Sequence, residues 1–153
     1  MKENKSLWRN YNLQEAEKLT KPSILIVDDQ PGIIKLLKDA LELRGYVVYT
    51  AGNTGTAKAL VLEKKPLLLI LDVNLGGENS FVLARQIKDI LPEGKIIFIT
   101  AYQEEEILRQ IRELGGEVLV KPFSLEELYR KVQAVVSSDG RWEILSNCDT
   151  RNF

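Results

Sequence analysis

The sequence predicts a doubly wound α/β domain in which five strands of a parallel sheet alternate with five helices. From Ser23 onward, short apolar runs alternate with longer amphipathic segments, which is the pattern of βαβ units. The apolar runs are nearly continuous, as in strands that helices cover on both faces. The 153 residues suffice for one domain with a substantial core, but not for a second domain of ordinary size.

Five apolar runs meet the length and composition of buried strands. The predicted strands, in chain order, are Ile24–Val27, Val47–Thr50, Leu67–Leu71, Ile96–Ile99 and Val118–Val120. Each run ends at polar, glycine or proline residues, so the strands are short and well separated.

Helices are predicted after each strand, at Pro31–Leu43, Thr54–Glu63, Ser80–Ile90, Glu104–Leu114 and Leu125–Val136. Pro31 suits a first helical turn, and Gly45 is a stop signal after the first helix. Ser124, with Glu127 three residues later, forms the capping pattern that introduces the last helix. Residues 23–137 are therefore predicted as the domain, with an N-terminal extension at 1–22 and a C-terminal tail at 138–153. Each flank is either a partly ordered extension or a docking or dimerisation element, so a homodimer is one possible state.

Charge and hydropathy narrow the class of protein. The formal net charge is -1, so no global attraction to nucleic acid or to an anionic membrane is expected. No run approaches the roughly 20 apolar residues that span a bilayer, and residues 1–22 are too polar for a signal peptide. We therefore expect a cytoplasmic protein that does not bind membranes or nucleic acid.

The residue types present also limit the chemistry. Cys148 is the only cysteine, so no internal disulfide can form, and the chain contains no histidine. Histidine-based triads and histidine-containing zinc sites are thus excluded. Carboxylates, hydroxyls and amines remain as the main reactive groups.

Polar residues follow four of the predicted strands at their carboxyl ends. Asp28 and Asp29 follow the first strand, Asp72 the third, Thr100 the fourth and Lys121 the fifth. In an open parallel sheet the ligand crevice lies beyond these ends, so four separate segments bring their side chains to one neighbourhood.

This group of residues suits phosphoryl chemistry. Three gathered carboxylates would repel one another unless a hard divalent cation such as Mg²⁺ lay among them. Lys121 adds an ammonium group and Thr100 a hydroxyl, so an incoming phosphoryl group would meet positive charge and a donor together. Asp72 is the candidate nucleophile, since a carboxylate can form an acyl phosphate.

Four segments of the sequence resemble the signature segments of the CheY-like receiver domains of bacterial two-component response regulators. They are residues 24–29 (ILIVDD), 69–72 (LILD), 99–101 (ITA) and 120–123 (VKPF). The resemblance covers about residues 23–137 and implies a flavodoxin-like sheet with strand order 2-1-3-4-5.

The resemblance implies a Mg²⁺ site and a phosphorylation site. Asp29 and Asp72 would ligate Mg²⁺ directly, Asp28 would act through water, and the backbone carbonyl of Asn74 would complete the protein ligands. Asp72 would attack a phosphohistidine on a sensor histidine kinase or histidine phosphotransfer protein. Thr100 would hydrogen-bond the phosphoryl group and Lys121 would pair with it.

The resemblance also implies a cis bond between Lys121 and Pro122. Output would pass to a downstream protein target or along a relay, and the chain would catalyse only its own phosphorylation and dephosphorylation. We expect a stand-alone receiver, or else the receiver portion of a longer regulator.

Some positions depart from the family pattern. Gly76 stands where proline is frequent and Ser80 where glycine is common, so the loop after Asp72 is expected to be more mobile or differently shaped. Val118 stands where many receivers have a Tyr or Phe that swings inward on activation, so that coupling cannot run through this residue.

Two other functions are weighed against this one. A haloacid-dehalogenase-like phosphatase also uses a strand-end aspartate with Mg²⁺, but it needs a second aspartate two residues later, where Asn74 stands. A degenerate receiver would act as a phosphorylation-independent binding module. Asp28, Asp29, Asp72, Thr100 and Lys121 are all retained, which argues against that alternative.

Overall fold

The computed structural model describes residues 22–138. The predicted extension and tail lie outside this range except for Pro22 and Ser138, so the predictions made for them concern residues that the structure does not describe.

The main sheet has five parallel strands. They are β1 (Ser23–Val27), β2 (Val47–Ala51), β3 (Leu68–Asp72), β6 (Lys95–Thr100) and β7 (Glu117–Val120), paired in the order β2-β1-β3-β6-β7. This order confirms the predicted 2-1-3-4-5 arrangement, and every predicted strand boundary agrees within one residue. The chain places β2 on one side of β1 and all later strands of the sheet on the other side, so the topological switch point lies between β1 and β3. A ligand crevice is expected at this point.

Helices cover both faces of this sheet. They are α1 (Pro31–Leu43), α2 (Thr54–Lys64), α3 (Ser80–Ile90), α4 (Glu105–Glu113) and α5 (Leu125–Ser137). Because successive strand residues point to opposite faces, the core divides into two clusters. One cluster contains side chains of α1 and α5, and the other contains side chains of α2, α3 and α4.

Local signals explain several of the helix ends. Pro31 lies in the first turn of α1, as predicted, and Gly45 follows the helix with a φ of 89°. The Ser124 side chain accepts a hydrogen bond from the amide of Glu127 at 3.1 Å, which confirms the predicted cap of α5. Among the described helices, none is long and apolar enough to cross a membrane.

The loop after Asp72 forms a small hairpin that the sequence reasoning did not predict. Its strands β4 (Asn74–Leu75) and β5 (Glu78–Asn79) pair antiparallel. Gly76 and Gly77 connect them with φ values of 58° and 96°, and two positive φ angles are typical of type I′ turns. The two expectations for this loop, greater mobility or a shape that differs from the family's, stay predictions. Strands of two residues are too short to leave a periodic pattern in the sequence.

Candidate functional site

The carboxyl ends of β1, β3, β6 and β7 surround a polar pocket of about 140 Å³. It is lined by Asp29, Gln30, Asp72, Val73, Asn74, Gly76, Thr100, Ala101, Tyr102 and Lys121. Most of the predicted site residues thus line a single pocket, as the strand topology requires. Asp28 is absent from the lining and is buried, with 1% of its surface exposed.

Asp72 is held by contacts to both of its carboxylate oxygens. Lys121 Nζ donates to Oδ2 at 2.9 Å, and the backbone amide of Asn74 donates to Oδ1 at 2.9 Å. Only 4% of Asp72 is exposed, whereas the Lys121 side chain is 29% exposed, so the ion pair is desolvated mainly at its carboxylate end. The pair provides a positive charge directly beside the candidate nucleophile.

Ser80 supports the backbone of this residue, a role that the sequence reasoning missed. Its Oγ lies 2.6 Å from the carbonyl oxygen of Asp72 and 2.9 Å from that of Val73. Since a hydroxyl has one hydrogen to donate, the two carbonyls share it. Ser80 is 1% exposed and begins α3, so it ties the end of β3 to the start of that helix. Its only sequence signal was a hydroxyl residue at a position where glycine is common in the family.

Asp28 has a buried carboxylate that is only partly satisfied by hydrogen bonds. Its Oδ1 accepts the Gln30 amide at 2.8 Å, but its buried Oδ2 has no hydrogen-bond donor. Burial raises the pKa of Asp28 to about 6; Asp72 adds to this, while the Gln30 amide and Lys121 oppose it. A hydrogen bond between the Asp28 and Asp72 carboxyls requires a proton on one of them, so ionised Asp28 leaves Oδ2 unsatisfied.

Asp29 is exposed and lies against the hairpin. A Cβ atom at Gly76 would come within 2.7 Å of Asp29 Oδ2, so a larger residue would require the Asp29 side chain to move, and the positive φ of Gly76 favours glycine as well. Among residues 22–138, no three acidic, cysteine or histidine side chains are gathered closely enough to hold a metal ion as they stand. The predicted ligands Asp28, Asp29 and Asp72 are therefore not assembled as a closed shell.

The donor set nevertheless fits a hard cation. Its members are carboxylate oxygens, one of them buried without a donor, and such oxygens are the ligands that Mg²⁺ prefers. Asn74 lines the same pocket and could add its backbone carbonyl. A cation between Asp28 and Asp72 would also relieve their mutual repulsion.

Thr100 and Lys121 reach the pocket from neighbouring strands. The Thr100 hydroxyl accepts the amide of Tyr102 at 2.9 Å and lies 3.3 Å from the Tyr102 carbonyl oxygen. It therefore organises its own turn and does not cap α4, whose N-cap residue is Glu104. The Lys121–Pro122 bond is cis, which confirms that prediction. Val118 pairs with Phe98 across the sheet and packs against the core.

Comparison with known proteins identifies a family for the region that contains this site. A family model described as "Response regulator receiver domain" matches residues 24–133. Sporulation initiation phosphotransferase F of Bacillus subtilis is 34% identical over 106 residues, which cover 69% of this chain and 86% of that protein. The phosphate regulon transcriptional regulatory protein PhoB of Pseudomonas aeruginosa is 38% identical over 121 residues. That match covers 77% of this chain but 53% of PhoB, so the chain spans about half the length of this relative.

Solved structures agree with this result. A CheY-like response regulator receiver domain protein from Methanospirillum hungatei superposes with a TM-score of 0.73 at 26% identity, covering 80% of this chain and 98% of that one. The non-phosphorylated HemR receiver domain of Leptospira biflexa gives a TM-score of 0.71 at 33% identity, covering 75% and 94% of the two chains.

Proposed function

Because this chain belongs to the response regulator receiver domain family, we propose that it accepts a phosphoryl group on Asp72 within a two-component pathway. The donor would be a phosphohistidine of a sensor histidine kinase or of a histidine phosphotransfer protein. The observation that carries the proposal is the buried Asp72 carboxylate, which lies in a polar pocket with the Lys121 ammonium 2.9 Å from Oδ2. This combination supplies both a nucleophile and a positive charge for the incoming group.

In the proposed reaction, an oxygen of the Asp72 carboxylate attacks the phosphorus of the donor. A P–O bond forms, the P–N bond of the phosphohistidine breaks, and the imidazole leaves with the electron pair of that bond. The product is an acyl phosphate on Asp72. Hydrolysis of this acyl phosphate returns the free carboxylate and inorganic phosphate. The chain thus acts only on its own phosphorylation state.

The surrounding side chains would stabilise the new charge. Lys121 would form its ion pair with a phosphoryl oxygen instead of with the Asp72 carboxylate. Thr100 would donate its hydroxyl hydrogen to another phosphoryl oxygen, and this requires the hydroxyl to turn away from the Tyr102 carbonyl. The Thr100 and Lys121 side chains thereby respond to the phosphoryl group from two different strands.

Mg²⁺ is the proposed cofactor. Asp29, Asp72 and the Asn74 carbonyl would bind it directly and Asp28 through water, and the ion would neutralise charge on the phosphoryl oxygens. Receiver domains in general bind Mg²⁺, and the donor-free oxygen of Asp28 supports such a site here.

The output step is proposed to run through a partner protein. Val118 cannot provide the aromatic side chain that many receivers move on activation, so the response would reach the surface through other groups. The same residue favours a second candidate function, a degenerate receiver that binds its partner without phosphorylation. The two candidates differ in whether Asp72 becomes labelled.

The test is the intact mass of the protein after incubation with acetyl phosphate and Mg²⁺. We expect the wild type to gain one phosphoryl group and Asp72→Asn to gain none. Asp89→Asn, an exposed aspartate on α3, serves as a matched control that should label like the wild type. Labelling of Asp72→Asn would contradict the assignment, and a wild type that takes no label from acetyl phosphate or from a phosphohistidine donor would favour the degenerate receiver.

A further inference from the structure

The hairpin after Asp72 is tied to the first turn of a distant helix by one side chain. Glu78, in β5, accepts the backbone amide of Thr54 at 3.0 Å through Oε2 and the Thr54 hydroxyl at 3.2 Å through Oε1. Thr54 is the first residue of α2, and the two residues are 24 positions apart in the sequence. One carboxylate therefore connects the phosphoacceptor loop to an element that contributes no side chain to the pocket lining.

The neighbouring residue Asn79 fixes the same strand to a second helix. Its Oδ1 accepts the amides of Phe81 at 3.0 Å and Val82 at 3.2 Å, which caps α3. Strand β5 is thus held between two helix N-termini, that of α2 through Glu78 and that of α3 through Asn79. The position of β5 determines where β4 lies, because the two strands pair with each other.

Strand β4 and the glycine turn that follows it form one wall of the polar pocket around Asp72. Asn74 and Gly76 both line it, and Gly76 packs directly against the Asp29 carboxylate. A turn of two glycines offers little resistance to a change in hairpin position. Displacement of the hairpin would consequently move Asn74 relative to Asp29 in the pocket lining.

Capping of α2 does not depend on the tether. Asn53 accepts the amide of Thr56 at 2.8 Å and so provides the N-cap of this helix. A carboxylate near a helix N-terminus also has a favourable interaction with the helix dipole. With the local cap in place, the main consequence of the Glu78 contact falls on the loop that it holds.

We propose that Glu78 is a positioning residue which, by holding the hairpin on α2, presets the hairpin wall of the Mg²⁺ pocket. The inference rests on the proposed function, since it concerns the same cation site. It predicts that loss of the tether weakens Mg²⁺ binding and leaves the phosphorylation rate at saturating Mg²⁺ close to that of the wild type. The Asp72 side chain keeps its contact with Lys121, which does not involve the hairpin.

Three variants separate positioning from general stability. Glu78→Ala removes the tether. Glu78→Gln retains an acceptor oxygen for the Thr54 amide and should therefore keep much of the wild-type Mg²⁺ affinity. Glu126→Ala is the matched control, because Glu126 is likewise an exposed acidic residue near a helix N-terminus, that of α5, but no described contact joins it to the hairpin. Mg²⁺ dissociation constants are measured by calorimetry, and amide hydrogen exchange is measured by NMR without Mg²⁺.

For Glu78→Ala we expect the Mg²⁺ dissociation constant to rise about two- to tenfold, a factor of the size that one ordinary hydrogen bond contributes, because both lost hydrogen bonds act on the cation site only through the hairpin. Exchange at the Thr54 amide should accelerate while that at Thr56 stays protected by Asn53. If exchange at Thr54 accelerates but Mg²⁺ affinity is unchanged, the inference is overturned. A wild type that binds no Mg²⁺ would instead refute the proposed Mg²⁺ site, and this inference with it, so the two failures are distinguishable.

Discussion

The substitution Asp28→Asn is expected to stabilise the metal-free fold at pH 7. Asp28 is buried, and its Oδ2 atom has no hydrogen-bond donor. An asparagine keeps the Oδ1 acceptor for the Gln30 amide. It also presents an NH₂ group that can donate to the neighbouring Asp72 carboxylate, where the wild type has a second negative charge. The variant therefore removes a desolvated charge without removing a contact.

The magnitude follows from the pKa of this carboxyl. Burial, with a further contribution from Asp72, raises the pKa of Asp28 from 3.8 to about 6. Each pKa unit corresponds to about 1.36 kcal/mol, so the full penalty is about 3 kcal/mol at most. Between these two pKa values the folded state binds more protons than the unfolded state. The penalty is therefore absent below pH 3.8, grows as the pH rises through this window, and is complete above about pH 6.

Urea unfolding in the presence of EDTA at pH 7 and near pH 4 tests this prediction. We expect Asp28→Asn to gain about 1–3 kcal/mol in unfolding free energy at pH 7 and much less at the lower pH. Asp39→Asn is the control, because Asp39 is an exposed partner of Lys35 and its loss should change stability by only a few tenths of a kcal/mol. The reasoning is refuted if the variant is no more stable at pH 7, or if its gain is the same at both pH values.

Two further substitutions test the contacts around Asp72. Ser80→Ala leaves the buried carbonyl of Asp72 and the partly buried carbonyl of Val73 without their shared donor and should lower the unfolding free energy by about 1–3 kcal/mol, measured by urea denaturation. An unchanged value would contradict the supporting role of the hydroxyl. Lys121→Ala should retain part of the labelling by acetyl phosphate but weaken the conformational response, measured as amide chemical-shift changes on phosphorylation. Shift changes as large as those of the wild type would argue against Lys121 as the partner of the phosphoryl group.

The main architecture was predictable because it depends on periodicity and on strong local signals. Buried parallel strands read as continuous apolar runs, and Pro31 and Ser124 mark helix starts that the structure confirms. The location of the site was also predictable, since Asp72, Thr100 and Lys121 each stand at a strand end and parallel topology brings these ends together.

The contacts within the site were not predictable from the same signals. Ser80 and Glu78 act through partners 8 and 24 residues away, and a single sequence carries no signal that pairs such positions. The separate environments of Asp28 and Asp29 were equally hidden, because neighbouring residues in the chain differ in burial only once the loop is folded. The hairpin was missed because its strands are two residues long, although the Gly76–Gly77 pair is itself a turn signal.

Chemical mapping of the labelled protein locates the phosphoryl group, which we propose is carried by Asp72. Protein incubated with acetyl phosphate and Mg²⁺ is reduced with borohydride, which converts an aspartyl phosphate to homoserine, and is then digested and sequenced by mass spectrometry. We expect homoserine at position 72, formed only in protein that was phosphorylated. Homoserine at Asp28 or Asp29, or a phosphoryl group that survives reduction on a hydroxyl residue, would contradict this proposal.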